Sequence, residues 1–268
     1  MGLVLIGCGK MGGAMLEGWL ERGMNKDDIR IVEHSEEHAQ TLRDTHGVKV
    51  VTALESIEDG FTPNTILLAV KPQAMDAAAQ ACARFVATST FLSVAAGKTL
   101  SYFQSILGES AAIIRVMPNT PAAVRRGISV ACANANVSED AKTRSTDLLE
   151  AIGEVAWIED EALMDPVTAV SGSGPAYVFY MTECLTEAGV KAGLSEELAT
   201  QLARATVAGA GELMRQSGVE AAQLRKNVTS PGGTTQAALE VLMGANGIAQ
   251  PMEKAVHAAA QRSKELAG

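Results

Sequence analysis

The sequence predicts an α/β domain on a doubly wound, mainly parallel sheet, followed by an all-helical domain. Three observations predict it. Short apolar runs alternate with helical stretches through roughly the first 160 residues. A glycine-rich turn follows the first run. After Trp157-Ile158-Glu159-Asp160-Glu161 the strand-like runs stop and alanine- and leucine-rich helix takes over. A boundary near residue 160 therefore divides the chain into domains 1–160 and 161–268.

The first element is Leu3–Ile6, a short continuous apolar run of the kind a buried parallel strand needs. Gly7-Cys8-Gly9-Lys10-Met11-Gly12 follows with GxGxxG spacing, and Met15, Leu16, Trp19 and Leu20 then recur at helical spacing. The motif thus lies between a strand and a helix, where its chemistry requires it. Gly7 makes the tight turn, Gly9 lets a pyrophosphate approach the backbone, and Gly12 permits close helix–strand packing. This is the Rossmann arrangement for a dinucleotide.

The second strand is Ile29–Val32, ending in Glu33-His34-Ser35. An acidic residue about 20 positions past the glycines can bind the adenosine ribose hydroxyls and repel a 2′-phosphate. Glu33 stands there and leans weakly to NADH; His34 and Ser35 oppose it, since both could donate to a phosphate. Further strands are predicted at Val48–Val51, Thr65–Val70, Phe91–Ala95, Ala111–Val116 and Ile128–Cys132. Ligands of such sheets bind beyond the strand carboxyl ends. That places Ala69-Val70-Lys71-Pro72-Gln73, Ala95–Gly97 and Met117-Pro118-Asn119 on the cofactor side.

Composition narrows the function classes. A net charge of −9 argues against nucleic acid as a partner. The four cysteines form no CxxC pair and share no ligand spacing with the histidines, so no metal site is expected and a reducing cytoplasm is the expected compartment. Lys10 and Glu17 interrupt the apolar N-terminus, so neither signal peptide nor membrane span is expected.

In the second half, helices are predicted at Pro175–Ala192, Glu196–Gln216, Thr234–Met243 and Pro251–Leu266, with Ser195 as an N-cap. The helix after Ser195 carries small residues on more than one side. So small a helical half cannot bury several broadly apolar helices alone, which points to a homodimer with interleaved C-terminal helices. This half offers no clear general base. It offers hydroxyls and glycines, in Val170–Phe179 (VSGSGPAYVF) and Asn227–Ala238 (NVTSPGGTTQAA). Backbone N–H groups and threonines suit an anionic substrate that carries its own electrophile, such as a protonated imine.

These residues resemble the pyrroline-5-carboxylate reductases over nearly the whole chain. The resemblance rests on IGCGKM from Ile6, AVKPQ from Ala69, SVAAG from Ser93, RVMPNTPA from Arg115, AVSGSGPAYVF from Ala169 and VTSPGGTTQ from Val228. It implies a Rossmann domain followed by an all-helical dimerisation domain, and reduction of 1-pyrroline-5-carboxylate to L-proline with NADPH or NADH. It further implies that the Ser230–Thr235 loop holds the substrate carboxylate, through backbone N–H groups of Gly233 and Thr234, beside Gly232, and through the Ser230 hydroxyl. Thr235 matches the family threonine that approaches the ring nitrogen. Met117, Pro118 and Asn119 would border the nicotinamide, Ala69, Val70, Lys71 and Pro72 its ribose, and Ser173 and Gly174 the substrate pocket. Decamers occur among relatives.

Two rival readings exist. A 6-phosphogluconate-type or 3-hydroxyacid dehydrogenase needs a catalytic lysine in a glycine- and asparagine-rich helix; Lys191 lacks the asparagines. A cofactor-sensing protein on the same fold would show no turnover.

Overall fold

A computed structural model describes residues 2–267. The chain forms two compact units: residues 1–172 together with 259–268, and residues 173–258. The first unit is built on one eight-stranded sheet. In chain order its elements are β1 (Leu3–Ile6), α1 (Lys10–Glu21), β2 (Ile29–Val32), α2 (Glu36–His46), β3 (Lys49–Val51), β4 (Thr65–Leu68), α3 (Met75–Ala81), β5 (Thr90–Ser93), α4 (Leu100–Leu107), β6 (Ala112–Met117), β7 (Gly127–Ala133), α5 (Glu139–Leu149), β8 (Gly153–Ile158) and the single-turn α6 (Met164–Val167). The strand order is β3-β2-β1-β4-β5-β6-β7-β8.

From β3 to β6 every pairing is parallel. The strand alternation explains the unbroken apolar runs. Leu3 and Leu5 pack with Met15, Leu16 and Trp19 on one face. Val4 and Ile6 pack with Met75, Phe91 and Phe103 on the other. Both faces are covered by helices, so neither position can be polar. Trp19 is fully buried, and its indole N–H donates to the Leu148 carbonyl at 2.8 Å, pinning α1 to α5.

The far edge holds one strand reversal, which a mainly parallel sheet allows, and one departure from the sequence reading. β7 runs antiparallel to β6. The segment joining them, residues 118–126, is too short for a parallel crossover, which needs a dozen or more residues. β8 was not predicted. It pairs parallel with β7 at the sheet edge and is only partly buried, so its apolar pattern is diluted by Glu154.

The helices start and stop where local chemistry directs. The side chains of Ser35, Thr99 and Ser138 accept the N-terminal amides of α2, α4 and α5. Gly47, at φ 64°, closes α2 in the left-handed region.

The second unit is helical: α7 (Gly174–Lys191), α8 (Glu196–Ser217), α9 (Ala221–Asn227), α10 (Thr234–Leu242) and the first part of α11 (Ala249–Ala267). Ser195 caps α8 through the Leu198 amide, with Glu196 and Glu197 in the first turn. Small residues bring α7 and α8 together: a Cβ on Gly189 would lie 3.2 Å from that of Ala199. α9 is short, exposed and uncapped, and its residues carry no periodicity by which to predict it.

Candidate active site

The parallel pairing puts the carboxyl ends of β1, β2, β4, β5 and β6 on one edge of the sheet. The predicted cofactor-side residues of the first unit gather there. Gly7 turns at φ 85°, and a Cβ on it would meet Val70 Cγ1 at 2.8 Å and the Ala69 carbonyl at 3.0 Å. A Cβ on Gly12 would lie 2.4 Å from the Gly7 carbonyl oxygen. The glycine loop and the Ala69–Val70 segment are therefore in direct contact. Gly9 differs: a Cβ there would meet nothing within 4 Å, and the residue is exposed. Gly9 is the N-cap of α1, which has no side-chain cap and no acidic residue in its first turn. Lys10 and Met11 open that turn. An uncapped helix start under an open glycine fits the pyrophosphate of a dinucleotide.

Lys71 and Pro72 are exposed and begin a short 3₁₀ turn after β4. Ala95 is buried, one residue beyond Val94, whose amide donates to the Leu68 carbonyl at 3.2 Å. The Cys8 thiol is pushed up to about 12 by burial, then by the charges of Glu33 and Glu17. It stays a neutral thiol inside the loop.

Glu33 does not stand free at the end of β2. Its side chain is 8% exposed, and both oxygens are engaged. Oε2 accepts from the Cys8 amide at 3.3 Å and Oε1 from the Ser35 amide at 3.2 Å. His34 Nδ1 lies 3.2 Å from Oε1, and His38 Nδ1 lies 3.4 Å from Oε2. Ser35 Oγ is used as the cap of α2, accepting from the His38 amide.

At the end of β6 and just beyond it, Met117 and Asn119 meet the segment before α7, a π-turn over Thr168–Gly172. π-Turns recur at functional sites. A Cβ on Gly172 would lie 2.5 Å from Met117 Cε. Pro118 is buried. Asn119 Nδ2 donates to the Ser171 carbonyl at 3.1 Å and its Oδ1 accepts from the Ile128 amide at 3.0 Å. Its amide thus braces this loop against both β7 and the π-turn, a structural duty that the sequence did not disclose. Ser171 Oγ donates back to Val167 rather than capping α7.

Sequence reasoning also missed Arg115 and Glu161. Arg115 is buried, and its Nη1 donates to Glu161 Oε1 at 2.9 Å; the same oxygen accepts from the Leu100 amide at 2.8 Å. A charge inside an otherwise apolar strand was the available signal, because such a charge requires a partner.

In the second unit, Ser173 and Gly174 begin α7, with Pro175 in its first turn. The Ser230–Thr235 loop turns at Gly232, φ 70°, and leads into α10. Gly232 N–H donates to Gln236 Oε1 at 2.7 Å, and Gly233 N–H donates to the Ser230 carbonyl at 3.1 Å. These two amides serve the loop itself. Thr234 and Thr235 hold the first turn of α10, whose amides a helix leaves without intrahelical acceptors. α10 has no side-chain cap and no acidic residue there. A Cβ on Gly233 would sit 2.4 Å from Ser230 Oγ, so only glycine leaves that hydroxyl its place.

Residues 161–266 match the protein family described as pyrroline-5-carboxylate reductase dimerisation, and residues 2–97 match the NADP oxidoreductase, coenzyme F420-dependent, family. A pyrroline-5-carboxylate reductase of Pseudomonas aeruginosa is 40% identical over 267 residues, covering 99% of this chain and 96% of that protein. The chain belongs to the pyrroline-5-carboxylate reductase family. The reductase of Corynebacterium melassecola is 36% identical over 98% of both chains. Among solved structures, the Coxiella burnetii pyrroline-5-carboxylate reductase superposes with a TM-score of 0.94 at 32% identity, over 99% of this chain and 98% of that one. The Plasmodium falciparum pyrroline carboxylate reductase, solved with NADP bound, gives 0.82 at 30% identity, over 100% and 98%.

Among the described residues, no group of three His, Cys, Asp or Glu could hold a metal ion, and no helix is long and apolar enough to cross a membrane.

Proposed function

We propose that this reductase converts 1-pyrroline-5-carboxylate to L-proline, taking a hydride from a reduced nicotinamide dinucleotide and one proton from solvent. Family membership and full-length similarity to enzymes of that name support the reading. The observation that carries it in this chain is the pair of glycine-led helix starts without a side-chain cap, at Gly9 and at Gly233. One suits a pyrophosphate and the other a carboxylate.

The bound nicotinamide would supply the hydride to the imine carbon. Gly7, Gly9, Lys10, Met11 and Gly12 would hold the pyrophosphate. Ala69, Val70, Lys71, Pro72 and Ala95 would line the ribose and nicotinamide side, with Met117, Pro118 and Asn119. The Thr234 amide and the Ser230 hydroxyl would hold the carboxylate, with the Thr235 amide in place of the expected Gly233 amide, which is turned to the Ser230 carbonyl. Ser173 and Gly174 would shape the substrate pocket. The Thr235 hydroxyl would orient the ring nitrogen and keep a proton on it while the C=N bond is reduced. The imine needs no strong acid from the protein, which accords with the scarcity of titratable groups in the 230–235 loop.

We further propose a homodimer through the C-terminal helices. The dimerisation match supports it. So do the large apolar side chains exposed on single-chain helices, such as Phe179, Tyr180, Leu213 and Val241. Four free thiols, three of them buried, suit a reducing cytoplasm.

The test is consumption of NADH and NADPH with pyrroline-5-carboxylate, repeated with Thr235→Val. That variant keeps the shape and removes one hydroxyl. Turnover should fall by about 10- to 1,000-fold with a smaller change in KM. Parent-like turnover in a folded variant would remove Thr235 from the mechanism.

A further inference from the structure

We propose that Asn119 is a positioning residue for the hydride transfer: its side-chain amide fixes the last turn of the first unit, at the Ser171 carbonyl, to the strand end that borders the nicotinamide. The inference rests on the reduction proposed above.

Asn119 stands two residues past the Met117–Val130 pair, where the antiparallel ladder of β6 and β7 would set it opposite Ile128. Its backbone is still extended, at φ −136° and ψ 169°. Its carbonyl, however, serves the turn that follows, accepting from the Ala122 amide at 3.2 Å. The side chain continues the ladder instead, Oδ1 accepting from the Ile128 amide at 3.0 Å. Nδ2 then faces the π-turn and donates to the Ser171 carbonyl at 3.1 Å.

That carbonyl needs the donor. Pro175, four residues on, has no amide proton, and the Ala176 amide, five residues on, goes to the Ser173 carbonyl at 3.0 Å. A carbonyl held away from water without a donor is costly. The same two segments meet a second time, because a Cβ on Gly172 would come within 2.5 Å of Met117 Cε. Met117 and Asn119 together therefore hold residues 171 and 172 to the end of β6. Ser173 and Gly174, assigned to the substrate pocket, are the next residues of the chain. The chain reaches them from a carbonyl held by the loop beside the nicotinamide. Of the small side chains, only an amide can fill both places, since it donates and accepts at once, whereas a carboxylate only accepts.

The test compares full-length Asn119→Asp and Asn119→Ala with the parent. Aspartate keeps the acceptor for Ile128 and loses the donor for Ser171; alanine loses both. Calorimetry gives the Kd of NAD⁺ and NADP⁺, and stopped-flow mixing with pyrroline-5-carboxylate gives the single-turnover oxidation of bound NADH or NADPH. Both variants should bind the nucleotides within about twofold of the parent, while the single-turnover rate constant falls about 10- to 100-fold at full amplitude. A merely structural role would lower the amplitude, the fraction of competent molecules, and leave the rate constant alone; that result overturns the proposal. So does a parent-like rate constant in Asn119→Asp, which would assign the effect to the Ile128 bond, and so does a nucleotide Kd that rises as far as the rate falls, which would make the side chain a cofactor contact. If Asn119→Asp does not fold, Asn119→Ala decides by the same three readings. A parent that binds the nucleotides but never oxidises them overturns the proposed reduction, and this proposal with it.

Discussion

Gly9 and Gly12 are three residues apart in one motif, yet the structure gives them separable duties. An alanine at Gly12 would place its Cβ 2.4 Å from the Gly7 carbonyl oxygen. The obstacle is backbone, so α1 must move by roughly 1 Å or the loop must distort, at a cost of about 2–3 kcal/mol, the upper part of the range for overpacking. The gain in helix propensity from glycine to alanine returns at most about 1 kcal/mol. The net loss of about 1–2 kcal/mol should lower Tm by roughly 2–8 °C for a unit of this size. Dinucleotide affinity should fall as well, because the amides of α1 move. An alanine at Gly9 meets nothing within 4 Å and adopts a backbone open to any residue, φ −70°. Its Tm should stay within about 2 °C of the parent, since the loss of a glycine N-cap and the reduced chain entropy nearly cancel. Its affinity for NAD⁺ and NADP⁺ should nonetheless drop at least about tenfold, because the methyl group occupies the approach of the pyrophosphate. Calorimetry for both quantities decides. Parent-like nucleotide binding by Gly9→Ala would remove the pyrophosphate from this loop. Parent-like stability of Gly12→Ala would refute the packing argument.

Three further outcomes follow from the structure. Glu161→Ala strips the buried Arg115 of its anion and the Leu100 amide of its acceptor; it should cost about 2–4 kcal/mol, and Glu161→Gln less, by thermal denaturation. The hydrogen bond from Arg30, then one from its own backbone amide, lowers the Glu58 carboxyl to about 2; its stabilising contribution is complete above the ordinary glutamate range and is lost as pH falls towards about 2, so the Tm gap between the parent and Glu58→Gln should close over that interval, by a small amount because the side chain is 49% exposed. Thermal unfolding should depend on protein concentration if the helices from α7 onward share a core between copies; an active monomer on dilution, seen by light scattering, would contradict the dimer.

The sheet was legible because burial on both faces leaves little choice of residue. β1 and β2 match the predicted ranges Leu3–Ile6 and Ile29–Val32 residue for residue. The other predicted strands differ from the sequence reading by one or two residues at their ends, as with Thr65–Val70 against Thr65–Leu68. What failed was edge structure: β8, half-wet, and α9, seven residues long. The reversal at β7 could have been read from the short link after Met117. At the candidate site, backbone duties were legible from glycines, whereas side-chain partnerships were not. Glu33 was placed correctly at the end of β2, but nothing in the spacing told that its carboxylate turns back to the Cys8 amide. Asn119 carried no periodic signal for its two braces.

The last turns of α11 belong to the first unit: Ser263, buried, donates to Asp165 Oδ1 at 2.7 Å across 98 positions of chain. The N-terminal sheet can therefore form during synthesis while this part of its packing waits for residues 259 onward to emerge. A ribosome-bound chain halted before residue 259 should hold the nucleotide loop folded but leave Asp165 without its partner. Completion of the first unit is then a late, non-local step, taken only once residues from 259 onward are available to pack.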